Sequence, residues 1–409
     1  SGLLLIIGMT LSAQNTAGKL EGSWSGVLKT LAGELNLVLH FKMTEADTIS
    51  ATLDSPDQAA LGIPCGRVTL AGDTVMVDIP MVKGYYRGGM SGDSLITGIW
   101  TQLGRSNDLI MKKGAKPIVH NRPQEPKPPY PYREEEVTFM NPVENFSLAG
   151  TLTIPEGDGP FPAVILISGS GQQDRDETIF LHKPFLVLAD YLTRNGIAVL
   201  RYDDRGMGKS KGRTNDATSL TFADDAEAAL TYLLQRPEID SRKIGLAGHS
   251  EGGLIAPIVA SRNRNVSFIV SLAGPGVKGY EVLLKQAQDI LAASGTSQAE
   301  IDETLASNSQ LYRMVVDEPD LRKFAKDAME WYGKELDRKG LGAEERKTKM
   351  SEFTQGLVSL NNPWMRYFIA TDPAQFWSEV KCPVLALNGD KDLQVDQGMN
   401  LPAIKAALR

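Results

Sequence analysis

The stretch Lys243-Ile244-Gly245-Leu246-Ala247-Gly248-His249-Ser250-Glu251-Gly252-Gly253 constrains this chain more than any other. An apolar, β-leaning run enters Gly-x-Ser-x-Gly, and Gly253-Leu254-Ile255-Ala256-Pro257-Ile258-Val259-Ala260 leaves it with the apolar density of a buried helix. A chain that passes from strand to helix across one residue holds that residue at positive φ, and the positions two before and two after it crowd the turn. Gly248 and Gly252 supply the small residues such a turn requires. The pentapeptide alone is weakly specific: with 39 Gly in 409 residues, chance supplies one in roughly one such chain in four. Its flanks carry the reading, which predicts a nucleophile elbow with Ser250 as nucleophile.

The segments around the elbow alternate between the two periodicities. Ala163-Val164-Ile165-Leu166-Ile167 is a continuous apolar run, as a strand covered on both faces should be. Phe185 to Asn195 reads as a helix stopping at Gly196, Ala198-Val199-Leu200 as a strand, and Thr221-Phe222-Ala223-Asp224 as a helix start with capping-box spacing. Phe268 to Leu272 is the next strand and Pro383 to Gly389 a later one. Such alternation predicts a mostly parallel sheet with right-handed crossovers. Between those last two strands, helical periodicity over about residues 277–380 predicts a helical lid.

The first part of the chain is different. Short alternating segments such as Leu35 to Phe41, Val75 to Ile79 and Ile96 to Trp100, punctuated by Gly, Asp and Pro, predict a small all-β domain, barrel or sandwich, over 19–115. A Pro-rich stretch over 116–135 should run as a stiff linker, leaving 136–409 to the α/β domain. Residues 1–18, with Leu3-Leu4-Leu5-Ile6-Ile7 and Ala13, have the apolar core and small-residue end of an export signal, so a periplasmic or secreted location is expected. No stretch has the length of a membrane span.

Several functions can be set aside. A formal net charge of −7 and no long basic run argue against a nucleic-acid partner. Cys65 and Cys382 cannot frame a zinc site. Gly208-Lys209-Ser210 ends like a phosphate loop, but Asp203 stands where that motif needs its first Gly. The run Asp174-Arg175-Asp176-Glu177 could suggest a cation site; carboxylates so close in sequence are read instead as a solvated loop or as Arg-paired, and no metal or cofactor is expected.

The order of Ser168-Gly169-Ser170-Gly171, Asp204-Arg205-Gly206-Met207-Gly208-Lys209-Ser210, Gly248-His249-Ser250-Glu251-Gly252 and Gly389-Asp390-Lys391-Asp392 resembles the α/β-hydrolase superfamily. Within it, the chain is similar to secreted bacterial serine carboxylesterases with an N-terminal β domain. The resemblance implies Ser250 as nucleophile, Asp392 as triad acid with Asp390 as fallback, and the backbone N–H groups of Ser170 and Glu251 as the oxyanion hole. It implies cleavage of a small-molecule ester of short to medium acyl length through an acyl-enzyme. A serine peptidase of the same fold and a non-catalytic binding protein that kept the fold are the alternatives. One departure stands out: the triad histidine should follow the acid, and the four histidines are His40, His120, His182 and His249. One helical segment follows Asp392 where such a fold needs roughly 40 more residues. The expectation is therefore a chain truncated at its C-terminus and, as it stands, nearly inactive.

Overall fold

A computed structural model describes residues 18–30, 33–44, 48–58, 60–102, 105–114, 122–179 and 182–408. The signal-like run, His120 and part of the Pro-rich stretch fall outside them. The chain forms two compact units, Ser1–Arg122 with Ile179–His182, and Pro123–Thr178 with Lys183–Arg409.

The first unit is one antiparallel sheet of nine strands: β1 (Gly22–Thr30), β2 (Gly33–Met43), β3 (Ile49–Ser55), β4 (Ala60–Pro64), β5 (Val68–Ala71), β6 (Thr74–Ile79), β7 (Gly84–Ser91), β8 (Leu95–Gln102) and β9 (Arg105–Lys113). Their spatial order is β4-β3-β2-β1-β9-β8-β7-β6-β5, so the two sheet ends are consecutive in sequence. Alternation gives each strand one apolar face, as in β6, where Val75, Val77 and Ile79 are buried. A twisted sheet this wide curls to bury that face on itself, and Trp24, Leu39, Tyr86, Ile96 and Met111 fill the concave side. The result is a half-barrel. A sandwich, the other form the alternation allowed, would need a second sheet.

The second unit holds seven strands, β10 (Arg133–Asn141), β11 (Phe146–Ile154), β12 (Phe161–Ile167), β13 (Ala198–Tyr202), β14 (Ile239–His249), β15 (Phe268–Leu272) and β16 (Val384–Leu387), in the order β10-β11-β13-β12-β14-β15-β16. β10 and β11 form a hairpin, β11 runs antiparallel to β13, and the remaining neighbours are parallel. β12 and β13 read as unbroken apolar runs because both faces are covered: Ile165 and Leu200 face one core, Val164 and Val199 the other. Helices α1 (Pro184–Arg194), α2 (Ser219–Leu234) and α3 (Gly252–Arg262) make the crossovers. α2 starts earlier than expected. The capping box pairs Thr218 with Thr221 rather than Thr221 with Asp224, because the Thr221 hydroxyl turns back to the Thr218 backbone.

Between β15 and β16 come α4 (Gly279–Ala293), α5 (Gln298–Asp317), α6 (Leu321–Arg338), α7 (Ala343–Leu360), α8 (Pro363–Ala370) and α9 (Ala374–Trp377). α5 to α8 bury a small core of their own from Val315, Phe324, Ala328, Leu357 and Ile369. After β16 the chain closes with α10 (Gln397–Ala407). No helix among the described residues is long and apolar enough to cross a membrane.

Strand order places the site. From β12 the chain moves to one side, through β13, and then crosses to the other side for β14. The loops after β12 and β14 therefore emerge together at the C-terminal edge of the sheet, at a topological switch point. The pairing of Ile167 with Gly248 fixes their relative height, and Ser168 and His249 follow directly.

Candidate active site

Ser250 has φ +52°, the left-handed region that a non-glycine residue enters only under constraint. The constraint is steric and local. A Cβ on Gly248 would lie 2.0 Å from the Gly252 carbonyl oxygen, and one on Gly252 would lie 2.2 Å from the Ile167 oxygen. Only glycine fits either position. The Ser250 N–H donates to the Leu272 oxygen at the end of β15 (2.8 Å), and the Gly253 N–H to the Ser250 oxygen (2.9 Å), so the turn is pinned on both sides. Glu251 already has helical backbone angles and stands at the mouth of α3, where the first N–H groups have no intrahelical acceptor.

The loop after β12 runs beside this turn. Two carboxylates hold it. Asp204, which follows β13, accepts from the Ser168 hydroxyl (2.8 Å) through one oxygen and from the Gln173 N–H (2.9 Å) through the other. Burial pushes Asp204 up to about 7 against the pull of those two bonds, and the charges of Glu251 and Asp225 add to the rise. Glu177, only 2% exposed, accepts the Gly169 N–H through Oε1 (2.6 Å). The same oxygen accepts from Nδ1 of His249 (2.7 Å), the residue preceding Ser250. That bond holds the His249 imidazole above its ordinary value although burial opposes it, and Asp392 raises it further.

Glu251 is tied to the helical insertion. Its buried Oε1 accepts from the Ser219 hydroxyl at the start of α2 and from Nε1 of Trp364 on α8, both at 2.6 Å. Burial raises its carboxyl, and the two bonds counter that. Trp364 stacks on Phe368 (5.7 Å between centroids) and walls a cavity of about 360 Å³ with Ser170, Gly171, Thr214, Ala217 and Phe222.

The structure thus brings together three of the four residues singled out from sequence: Ser250 and Glu251 on the turn, and Ser170 on the loop beside it. A Cβ on Gly169, which precedes Ser170, would lie 3.2 Å from the Ser250 Cβ. Asp392 sits half-buried in the loop after β16, its Oδ1 accepting from the N–H groups of Gln394 (2.8 Å) and Val395 (3.0 Å), while Asp390 is exposed. The run Asp174 to Glu177 divides by residue rather than forming one solvated loop: Arg175 forks onto Asp203 (2.8 and 3.0 Å), Asp176 pairs with Arg201 and Lys183, and Glu177 turns inward to His249. Glu177 and Asp204 were not identified as site residues from sequence, and no spacing could have marked them. A serine–histidine–carboxylate chain occurs on the half-barrel, where Ser23 contacts His40 Nδ1 and His40 Nε2 contacts Asp54, each at 2.7 Å. Three neighbouring strands supply it as a cross-strand ladder, and no strained serine takes part.

Residues 183–335 match the hydrolase family described as serine aminopeptidase, S33. Esterase EstD of Thermotoga maritima is 34% identical over 188 residues, 45% of this chain and 42% of that protein. Polyketide transferase claH of Penicillium crustosum is 29% identical over 156 residues, covering 36% and 46% of the two chains. Acyl-coenzyme A thioesterase 3 of Mus musculus is 30% identical over 135 residues, covering 32% and 28%. The chain spans less than half the length of each of these relatives. Among solved structures, an esterase of Pyrococcus furiosus overlaps 68% of this chain and 77% of its own at 17% identity and a TM-score of 0.41. With the strand order, the elbow and these sequence relatives in hand, the second unit has the α/β-hydrolase fold, and the chain is similar to hydrolases of that fold.

Proposed function

We propose that the protein hydrolyses carboxylic esters of short to medium acyl length through an acyl-enzyme on Ser250. The observation that carries this reading is the strained serine at φ +52°, wedged between two glycines that no other residue can replace. A turn of that kind exposes a hydroxyl above the sheet edge, which is what attack on a carbonyl needs. The N–H groups of Ser170 and Glu251 are the oxyanion donors in this scheme, each worth about 3 kcal/mol to the transition state. Asp392 is the triad acid. None of the four histidines follows Asp392 in these 409 residues, so the proton acceptor is the one component left unassigned. The cavity beside Trp364 takes the acyl group, and α4 to α9 act as the lid over it. The apolar run near the N-terminus supports export to the periplasm or beyond.

The resemblance to proteins named esterase and acyl-coenzyme A thioesterase favours oxygen and sulfur esters as the substrate class. The serine aminopeptidase description of the matched family makes a peptide bond the second reading. Both are separated in one assay on the full-length protein. p-Nitrophenyl butyrate and a short acyl thioester should turn over, and Ser250→Ala should reduce both to background. Equal rates for wild type and Ser250→Ala would reject the nucleophile, while faster cleavage of an aminoacyl p-nitroanilide would promote the peptidase reading.

A further inference from the structure

Glu177 has no part in the chemistry just described, yet it is among the most constrained side chains near it. It is a non-glycine residue at φ +50°, and its carboxylate is 2% exposed. Backbone strain and a buried charge are each costly and persist where the surroundings impose them. Both are spent on one contact: Oε1 receives the Gly169 N–H at 2.6 Å and His249 Nδ1 at 2.7 Å. Gly169 fills the gap between the two strained residues, since a Cβ there would lie 3.2 Å from His249 Nδ1, 3.2 Å from the Ser250 Cβ and 3.3 Å from Glu177 Oε1.

The Ser170 N–H belongs to the peptide that begins at Gly169. Its direction is set by the two backbone dihedrals of Gly169, the least restricted residue type. Asp204 anchors the loop at Ser168 and Gln173, one residue before Gly169 and three after Ser170, and leaves those dihedrals free. The bond from Gly169 to Glu177 fixes the Ser168–Gly169 peptide from which those dihedrals start, and the close packing of Gly169 between His249, Ser250 and Glu177 narrows how the next peptide can turn. His249, carried on the nucleophile turn itself, holds Glu177 in place and so registers the loop against Ser250.

We infer that Glu177 and His249 form a positioning pair that aims the Ser170 N–H at the oxyanion, locking the β12 loop to the nucleophile turn. This rests on the esterase reading above. Neither side chain transfers a proton in it; both act through the Ser168–Gly169 peptide, and so on the Ser170 N–H one step further along. Because an oxyanion forms only as the transition state is approached, loss of the pair should lower kcat and leave KM nearly unchanged.

The test uses the full-length protein with Glu177→Gln and Glu177→Ala. Glutamine keeps an acceptor for the Gly169 N–H but loses the charge that holds His249; alanine loses both. kcat for p-nitrophenyl butyrate should fall roughly tenfold for Gln and roughly a hundredfold for Ala, with KM within about twofold. Affinity for an alkyl boronic acid, which places an oxygen where the oxyanion would be, should fall in proportion to kcat/KM. His249 should titrate at lower pH in Glu177→Gln by NMR, a readout that needs no turnover. Thermal melting identifies a variant that has not folded, and the near-isosteric Gln variant then carries the test. Folded variants with wild-type kcat and boronate affinity, or a rise in KM alone, would overturn the inference. Loss of activity in Glu177→Gln with unchanged boronate affinity would overturn it too. A wild-type protein that turns over no ester would remove the underlying reading as well, so the two failures are distinct.

Discussion

Gly252→Ala is the sharpest test of the elbow, because the structure fixes the size of the insult. The added Cβ would sit 2.2 Å from the Ile167 oxygen and 2.8 Å from the Ser168 oxygen. An ordinary carbon–oxygen contact is about 3.3 Å, so roughly 1 Å of separation must be found between two backbones. Neither can yield easily. Ile167 is in β12, paired with Gly248 on β14, and Gly252 begins α3 against the same strand. Overpacking of this kind costs about 1–3 kcal/mol, and rigid neighbours on both sides place it at the upper end. At about 2–4 °C per kcal/mol for a unit of this size, melting should drop by roughly 6 °C or more. The functional loss should be larger in proportion, since a displacement of ~1 Å at the reacting group can cost about a hundredfold in rate. Differential scanning fluorimetry reads the first quantity, and labelling of Ser250 by a fluorophosphonate reads the second. Gly356→Ala is the control: it lies in α7 with no atom within 4 Å of the added methyl, and should gain about 0.5–1 kcal/mol without changing the labelling rate. Wild-type melting and wild-type labelling in Gly252→Ala would show that the turn is not packed as described.

Arg205, 1% exposed, forks onto Asp225 (2.7 and 3.0 Å) and also reaches Glu144 and the Thr221 oxygen; Arg205→Met should cost about 3–5 kcal/mol by urea unfolding because Asp225 is left charged and buried, and Asp225→Leu in the same chain should recover part of that loss. Asp204, pushed up to about 7, binds its proton more tightly folded than unfolded, so its contribution to stability is fully present below the unfolded value of about 4 and is lost as pH rises through 7. Denaturation of wild type and Asp204→Asn across that range should show the variant gaining on wild type from about pH 4 to pH 7, by at most about 1.4 kcal/mol per pH unit, and then no further; a constant difference would contradict the raised value.

What could be read from the sequence is what steric demand writes locally. The elbow shows as glycines at fixed spacing because two backbones approach within a Cβ radius there. β12 and β13 show as apolar runs because both faces are covered, and the insertion between β15 and β16 shows as a change of period. The form of the N-terminal sheet was not legible in the same way. Alternation says that each strand has an inner face but not how many strands share one sheet, which depends on the pairing of β1 with β9, Trp24 opposite Lys113, far along the chain. The fate of charged residues was least legible of all. Asp203 and Asp204 are neighbours, yet the first is lowered by Arg175 against its own burial and the second is raised by burial. The partners lie 28 to 72 residues away, so no window of sequence contains the cause.

Those distant partners also resolve an apparent conflict in the site. An oxyanion held by the Ser170 and Glu251 N–H groups, as proposed, would form among the side chains of Glu177, Asp204 and Glu251, and three carboxylates would oppose it. Each is blunted in a different manner. Glu177 faces an imidazole 2.7 Å away whose affinity for its proton is increased by that contact. Asp204 and Glu251 are both raised, burial being the largest cause for each, and Asp204, pushed up to about 7, holds only part of its charge near neutrality. Burial therefore does two things at once here. It strengthens the hydrogen bonds by which these side chains fix the loop, the turn and the Trp364 contact, and it favours the uncharged forms of Asp204 and Glu251, which leave room for a new negative charge. Acidic residues are tolerable around an anion-forming site on those terms, and an exposed carboxylate put in place of Asp204 would satisfy neither.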